Sequence, residues 1–215
     1  MTEVLAATDL SFTYPGGEAP VLHALDASFN SGEAVALTGS SGRGKSTLLY
    51  LLGLLLTPGA GEISVGGVST SSMSDAQRAN LRAREFGFVF QDSELDPARS
   101  VLDAVVEPAL YAGLRRRDVT RHARDLLDRF GLGARADHRP GQISGGQAQR
   151  VALCRALINH PRILLADEPT GNLDRDNATL VLDHLITAAR TQNLVLIVAS
   201  HDPYVVSQLD RVVQL

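Results

Sequence analysis

A glycine-rich run that ends in lysine and serine is the clearest sign of chemistry in this sequence. It reads Gly39-Ser40-Ser41-Gly42-Arg43-Gly44-Lys45-Ser46 and matches the pattern G-x-x-x-x-G-K-[ST] in full. In such a loop the glycines let backbone amides curl around phosphate oxygens, and the next helix directs its positive end toward them. Lys45 would contact the β and γ phosphates, and Ser46 would supply a hydroxyl to Mg²⁺. The run therefore predicts a nucleotide-binding loop, whereas an ordinary glycine turn would need no strand before it and no helix after it.

Two adjacent acids, Asp167 and Glu168, follow the apolar run 163–166. If that run is a buried parallel strand, the acids emerge at the carboxyl edge of the sheet, where α/β proteins keep their ligands. Adjacent acids at a strand end can divide two roles, one ordering a metal ion and the other activating water. An Asp-Glu pair alone is more often part of a solvated loop. The catalytic interpretation therefore depends on the other motifs.

The elements that would position these residues are predicted by hydrophobic patterning. The segments 4–14 and 21–29 carry β-forming residues around the turn formers Pro15-Gly16-Gly17 and predict antiparallel strands. The apolar run 34–38 leads straight into the glycine-rich loop, and a leucine-rich helical segment follows it. The short apolar runs 163–166 and 194–199 are separated by an amphipathic helix. We therefore expect an α/β fold with a mostly parallel core sheet and an N-terminal antiparallel part.

The middle of the chain is predicted to be helical. Val101, Leu102, Val105, Val106 and Ala109 keep one face apolar, and Pro108 is expected to bend or end this helix. Ala123, Leu126, Leu127 and Phe130 repeat the spacing before Gly131. The basic cluster 115–117 is interpreted as the solvated start of that second helix. These helices would form a helical subdomain beside the core.

Composition limits the function classes. A chain of 215 residues with 44% hydrophobic side chains can form one domain with a sizeable core, and its formal charge of −4 argues against a nucleic-acid surface. The single cysteine, Cys154, is expected to pack in the core. The N-terminus lacks a secretory pattern, so we expect the chain to stay in the cytosol. The apolar block 48–56 is far shorter than the roughly 20 residues that span a bilayer. A membrane role would therefore need a partner chain.

The run Ile143-Ser144-Gly145-Gly146-Gln147 lies between the glycine-rich loop and the acid pair. Together, these motifs resemble the ATPase subunit of an ATP-binding cassette (ABC) transporter, in which this run is the signature. Ser144 and Gly145 would begin a helix whose amides and dipole suit the γ-phosphate bound on an opposing subunit. The resemblance implies that two chains sandwich two ATP molecules, and that Ser144, Gly145, Gly146, Gln147 and Asp174 contact the partner's nucleotide. Asp174 belongs to the D-loop, Gly171-Asn172-Leu173-Asp174.

The resemblance also implies roles for single residues. Asp167 would order Mg²⁺, and Glu168 would polarise the attacking water. His201, after the last long apolar run, would contact the γ-phosphate and help to position Glu168. Gln91, after 86–90, would approach Mg²⁺ and link the core to the helical subdomain. Tyr14 would stack on adenine.

The phosphate loop departs from the family in one position. Arg43 stands where family members commonly have a small residue, and it would either contact phosphate or point to solvent. Thr47 is also expected among the nucleotide contacts of this loop.

The resemblance covers the whole chain. It predicts one ABC ATPase domain over 1–215, with an ATP-binding core from 1–91 and 160–215 and a helical subdomain from 92–159. The runs 139–147 and 170–174 are most similar to lipoprotein-release, macrolide-export and cell-division ATPases of this family.

We therefore expect an ATPase that uses ATP and Mg²⁺, dimerises on ATP and drives a shape change in separate transmembrane subunits. It would lie on the inner face of the membrane through that partner. The alternative is a regulatory ABC ATPase that controls an envelope or cell-division complex without transport. A DNA-repair or translation ATPase of the family would usually carry coiled-coil, zinc or tandem insertions, so no nucleic-acid partner is expected. A small-molecule P-loop kinase would leave the signature and the D-loop unexplained.

Overall fold

The computed structural model of the protein describes residues 2–17, 19–40 and 44–215. It contains two β-sheets that differ in how their strands pair. The four-stranded sheet has antiparallel pairs in the order β2-β1-β4-β5. Its strands are β1 (Glu3–Phe12), β2 (Leu22–Asn30), β4 (Ala60–Val65) and β5 (Val68–Ser69). The five-stranded sheet is parallel, in the order β6-β7-β8-β3-β9. Its strands are β3 (Ala34–Thr38), β6 (Phe86–Val89), β7 (Ile163–Asp167), β8 (Val195–Ala199) and β9 (Arg211–Gln214). The predicted fold class is confirmed.

Helices cover both faces of the parallel sheet. They are α1 (Lys45–Leu52), α2 (Asp75–Glu85), α3 (Val101–Tyr111), α4 (Arg116–Arg129), α5 (Gly145–Leu157), α6 (Arg175–Gln192) and α7 (Pro203–Ser207). Because side chains alternate along a strand, Leu164 on β7 packs with α3 to α6, whereas its neighbour Leu165 packs with α1 and the antiparallel sheet. Every residue of β7 and β8 is buried, as expected for parallel strands covered on both sides.

The helices α3, α4 and α5 lie between β6 and β7 along the chain, where the helical subdomain is predicted. They share one apolar cluster with α6 and the parallel sheet, and Cys154 lies within it as a free, buried thiol. The cluster of Arg115 to Arg117 is exposed at the start of α4, as expected. The division into a core of 1–91 and 160–215 and a helical subdomain of 92–159 stays a prediction.

Of the two outcomes expected at Pro108, an end of the helix is wrong, because α3 continues to Tyr111. Proline removes one backbone donor from a helix, but the helix on both sides of Pro108 is held by burial of Val105 and Ala109. The carbonyl of Pro108 accepts hydrogen bonds from the backbone of Ala112 (3.0 Å) and from Nδ2 of Asn159 (3.1 Å). Packing in the tertiary structure therefore outweighs the local effect of the proline.

The register of the parallel sheet brings the ends of several strands together. Asp167 at the end of β7 pairs with Ala199 at the end of β8, and Ala199 also pairs with Leu37 near the end of β3. Ala166 pairs in turn with Val89, the last residue of β6. The segments that follow these strands therefore begin at one edge of the sheet, although they lie far apart in the sequence.

Across residues 2–17, 19–40 and 44–215, no helix is both long and apolar enough to cross a bilayer.

Candidate active site

A cavity of about 630 Å³ opens at this edge of the sheet. It is lined by the glycine-rich loop, the first turn of α1 and residues that follow β6, β7 and β8. The lining residues are Tyr14, Val21, Gly39, Ser40, Gly44, Lys45, Ser46, Thr47, Gln91, Glu168, Gly171 and His201. Most of the residues predicted to act on a nucleotide bound to the same chain are therefore brought together.

The start of α1 forms one wall of the cavity. Gly44 adopts a left-handed conformation, with φ of 91°, and a Cβ atom there would lie 2.8 Å from Cγ1 of Val21. Only glycine fits this turn without strain or a clash. Nζ of Lys45 donates hydrogen bonds to the carbonyls of Gly39 (2.9 Å) and Ser40 (3.5 Å). The lysine and the free amides of the first helical turn therefore form a positive surface suited to phosphate.

The predicted contacts of Ser41, Gly42 and Arg43 lie outside the described residues. They stay predictions.

Asp167 lies directly behind this wall and is almost completely buried. Its Oδ1 accepts a hydrogen bond from Oγ of Ser46 (3.0 Å), and its Oδ2 accepts one from Oη of Tyr50 (3.0 Å). Burial, together with the hydrogen bond to Asp167, raises the pKa of Tyr50 to about 12. Ser46 gives its only proton to Asp167, so the lone pairs of its oxygen remain free for a cation. This all-oxygen set suits a hard ion such as Mg²⁺.

Glu168 is held from both sides. Its Oε1 lies 2.6 Å from Nδ1 of His201, and its Oε2 accepts a hydrogen bond from Oγ of Ser200 (3.1 Å). The backbone of Glu168 has a left-handed φ of 44°, which is uncommon for a residue other than glycine. Such conformations cluster at functional sites, where the surrounding structure fixes them. Here the turn brings the carboxylate to the cavity, where it can accept a proton.

Gln91 also lines the cavity, and it is hydrogen-bonded to the D-loop. Its Nε2 donates a hydrogen bond to Oδ1 of Asn172 (3.4 Å), and Nδ2 of Asn172 donates one to Oδ1 of Asp92 (2.9 Å). A Cβ atom at Gly171 would lie 3.2 Å from Nε2 of Gln91, so the two segments approach closely. The segment after β6 and the segment after β7 are therefore connected through polar side chains.

Tyr14 offers an aromatic surface at the mouth of the cavity. Its hydroxyl lies 3.0 Å from Oγ1 of Thr47, and its ring packs edge-on against Phe12 with a centroid distance of 4.9 Å. The residue remains 43% exposed, so part of the ring is free to pack against a planar ligand.

The signature forms the start of α5, as predicted. Oγ of Ser144 accepts a hydrogen bond from the backbone of Gln147 (3.3 Å), and Oε1 of Gln147 accepts one from the backbone of Ser144 (2.9 Å). This capping box fixes the first turn and occupies the side chain of Gln147. A Cβ atom at Gly145 would meet nothing within 4 Å, whereas one at Gly146 would lie 2.5 Å from Oδ1 of Asn177. One side of the turn is therefore packed and the other is open.

Asp174 begins α6 beside the signature helix. Its carboxylate accepts hydrogen bonds from the backbone (2.9 Å) and Nδ2 (2.7 Å) of Asn177, which hold the pKa of Asp174 below its ordinary value. Among the described residues that line the cavity, neither Asp174 nor any residue of 144–147 is included. Within one chain, the signature and Asp174 are thus not brought to the phosphate loop.

Sequence reasoning missed three residues of this site. Tyr50 lies in a leucine-rich helical segment, Ser200 belongs to no motif, and Asn172 is predicted only as part of the D-loop. Tyr50 lies one helical turn after Ser46, so helical spacing does put both hydroxyls on one side of α1. The contacts of Ser200 and Asn172 depend on the packing of separate strands and loops.

The parallel sheet, the loop before α1 and the acids that follow β7 define a P-loop ATPase. The chain belongs to the ABC transporter family, whose model matches residues 22–171. It is an ATP-binding and ATP-hydrolysing cassette of this family, as the resemblance predicted.

Relatives and solved structures agree with this assignment. The chain is 47% identical over 195 residues to the lipoprotein-releasing system ATP-binding protein LolD 1 of Rhodospirillum rubrum, covering 91% of this chain and 86% of the relative. It is 45% identical to LolD of Cereibacter sphaeroides, covering 100% of this chain and 97% of the relative. The predicted similarity to lipoprotein-release ATPases is confirmed.

Two structures of the bacterial cassette MJ0796 have the same fold at 32% identity. The dimeric structure superposes with a TM-score of 0.89 and covers 98% of this chain and 94% of that chain. A dimeric post-hydrolysis structure bound to ADP and Pi superposes with a TM-score of 0.86 and the same coverage.

Proposed function

We propose that this ATPase dimerises on ATP and drives a conformational change in separate transmembrane subunits, as part of an export or lipoprotein-releasing system. The observation that carries the proposal is the separation of two complementary surfaces. The cavity holds the loop, the acid and the histidine, while the open start of α5 lies outside it. Two chains placed head to tail would bring each α5 to the cavity of the other. The dimeric structure of MJ0796 supports a dimer, and the LolD relatives support a lipoprotein-releasing system.

Hydrolysis follows from groups that line the cavity. Lys45 and the amides of the first turn of α1 hold the phosphates, and Tyr14 stacks on adenine. Glu168 accepts the proton of the attacking water while the water oxygen bonds to the γ-phosphorus and the bond to ADP breaks. His201 and Ser200 hold the Glu168 carboxylate in position.

Ser46, Asp167 and Gln91 are the residues that would hold Mg²⁺. When bound, the ion offsets the charge of the triphosphate.

The second subunit completes each site. Ser144, Gly145, Gly146 and Gln147 present backbone amides and a hydroxyl to the γ-phosphate bound by the partner chain, and Asp174 reaches the same interface. Binding of both ATP molecules closes the dimer, and hydrolysis opens it again.

The transmembrane partner docks in a groove of about 410 Å³ between the β6 side of the core and the helices α3 and α5. Phe86, Phe88 and Phe90 form its aromatic part, while Arg82 and Glu94 add charge. Tyr111 lines the same groove and is 75% exposed, an unusual exposure for an aromatic side chain. Phe90 directly precedes Gln91, so an occupant of the groove would lie beside the nucleotide cavity. The chain is thereby held at the cytoplasmic face of a membrane, with no nucleic acid involved.

Copurification tests this proposal. Tagged Glu168→Gln protein is isolated from detergent-solubilised cells with ATP present, and the accompanying proteins are identified by mass spectrometry. We expect a stoichiometric transmembrane protein. The matched control is the double variant Glu168→Gln, Tyr111→Asp, in which a charge is placed in the groove. This double variant should lose the transmembrane partner while keeping the ATP-bound dimer.

The composition of the copurified material decides the function. A partner with a large extracellular region that binds a division or envelope protein would favour the regulatory alternative over transport. Recovery of a dimer alone, or of ribosomes or DNA, would contradict the proposal.

A further inference from the structure

Tyr50 occupies a position in the site that the chemistry described above does not use. Its hydroxyl donates to Oδ2 of Asp167 at 3.0 Å, while the hydroxyl of Ser46 donates to Oδ1 at 3.0 Å. Both donors belong to α1 and lie one helical turn apart. Two hydroxyls from one helix therefore hold the two oxygens of a single carboxylate.

The phenol ring is itself fixed by packing. It meets Phe90 edge-on, with a centroid distance of 6.4 Å and an interplanar angle of 61°. Phe90 stacks on Phe88 at 5.9 Å, and its carbonyl accepts a hydrogen bond from Nε2 of the buried Gln149 at 2.8 Å. Tyr50 thus reaches Asp167 from a rigid support and does not line the nucleotide cavity.

We propose that Tyr50 is a positioning residue that orients the Asp167 carboxylate for the metal ion of ATP hydrolysis. This inference rests on the proposed function, in which Ser46 and Asp167 hold Mg²⁺. The terminal torsion of an aspartate is soft, so one hydrogen bond leaves the carboxylate free to turn and two hydrogen bonds fix it. With the orientation of Asp167 fixed, Oδ1 accepts the proton of Ser46, so the lone pairs of the Ser46 oxygen would be free to bind the metal.

Loss of the phenol hydroxyl has a specific consequence. Asp167 is 7% exposed, so water has little access to an Oδ2 atom that has lost its donor. The carboxylate would turn toward the donor that remains and draw the Ser46 hydroxyl with it. The metal would then bind more weakly, whereas contacts of the phosphates with Lys45 and the loop would stay the same.

Metal binding can be measured apart from hydrolysis. The protein is loaded with a non-hydrolysable ATP analogue, and free Mn²⁺ is followed by electron paramagnetic resonance during titration. For Tyr50→Phe we expect the Mn²⁺ affinity of the loaded protein to fall about tenfold, as is typical when a group that orients a metal ligand is lost. Affinity for the analogue without metal should equal that of the parent. Tyr204→Phe removes a phenol hydroxyl that lies 3.3 Å from Oγ1 of Thr179, and it should behave as the parent.

Each further outcome has one meaning. Unchanged Mn²⁺ affinity in Tyr50→Phe overturns the role of Tyr50, and so does an equal loss of analogue affinity without metal, which would indicate a structural role only. Asp167→Asn separates the two proposals. If it weakens Mn²⁺ binding while Tyr50→Phe does not, only the role of Tyr50 fails. If it leaves Mn²⁺ binding unchanged, the metal assignment of Asp167 fails, and the role of Tyr50 fails with it.

Discussion

Nδ1 of His201 lies 2.6 Å from Oε1 of Glu168, while Ser200 holds the second carboxylate oxygen. The histidine is largely exposed and the glutamate is mostly covered, with exposed side-chain fractions of 76% and 17%. The pair therefore joins a solvent-facing ring to a protected carboxylate. Each oxygen of the Glu168 carboxylate therefore has one side-chain partner, and the carboxylate is held in position.

The first prediction concerns Glu168→Gln. The amide has nearly the shape of the carboxylate but is a poor proton acceptor, so phosphate release should fall by about a hundredfold or more. ATP binding should stay at the parent level, and the ATP-bound dimer should accumulate in light-scattering measurements. Glu62→Gln makes the same change at an exposed position of β4 and should keep full activity. Hydrolysis by Glu168→Gln at the parent rate would show that another group is the base.

The second prediction tests the role of the signature in trans. Ser144→Arg places bulk and positive charge at the open start of α5, so ATP-dependent dimerisation should be lost. Each monomer should still bind ATP, because the described cavity of the same chain includes no residue of 144–147. Loss of the helix cap should cost about 1 kcal/mol of stability, which thermal unfolding would detect. Ser72→Arg, at an exposed position, is the control. Equal ATP-dependent dimerisation of Ser144→Arg and the parent would contradict the head-to-tail arrangement of the dimer.

A third prediction concerns adenine binding by Tyr14. Removing the ring in Tyr14→Ala should weaken ATP binding about tenfold, the usual size of a lost aromatic stack on a base. Tyr14→Phe keeps the ring and loses only the contact with Thr47, so its affinity should stay close to that of the parent. Calorimetry with ATP measures both variants. If Tyr14→Ala and Tyr14→Phe weakened ATP binding equally, the Tyr14 hydroxyl, and not stacking of its ring on adenine, would be responsible for the affinity.

The fourth prediction is a pH dependence of stability. His184 on α6 packs edge-on against Phe130 at 4.8 Å, and its Nδ1 is buried without a hydrogen-bond partner among the residues that the structure describes. Burial, and then the charge of Arg150, lower the pKa of His184 below the ordinary 6.5. Below pH 6.5, His184 therefore binds a proton in the unfolded chain, whereas His184 in the folded chain stays neutral until the pH is lower. The contribution of neutral His184 to the free energy of unfolding is complete above pH 6.5. It is lost as the pH falls toward the lower pKa that His184 has in the folded chain.

Thermal unfolding between pH 7.5 and 5.5 measures this effect. His184→Leu should show a smaller loss of melting temperature over this range than the parent. His23→Leu provides the control, since its ring is exposed on β2. The same loss in His184→Leu and the parent would exclude His184 as a source of the pH dependence.

Much of the fold could be read from the sequence because it depends on local patterns. Short apolar runs specify buried parallel strands, and the glycine-rich run specifies the turn before α1, where Gly44 needs a left-handed conformation. Ser144 and Gln147 form their capping box within one turn. Pro108 shows the limit of such reasoning, since its local preference is overcome by packing around α3.

The sequence by itself determined which side chains could bind phosphate, hold a metal ion or accept a proton, because these motifs are contiguous and their chemistry depends on residue type. Only the tertiary structure decided how those groups hold one another. Ser46 and Asp167 are 121 residues apart and Tyr50 and Asp167 are 117 residues apart, yet they meet because the start of α1 packs against the end of β7. Such contacts depend on strand order and register, which no local pattern encodes.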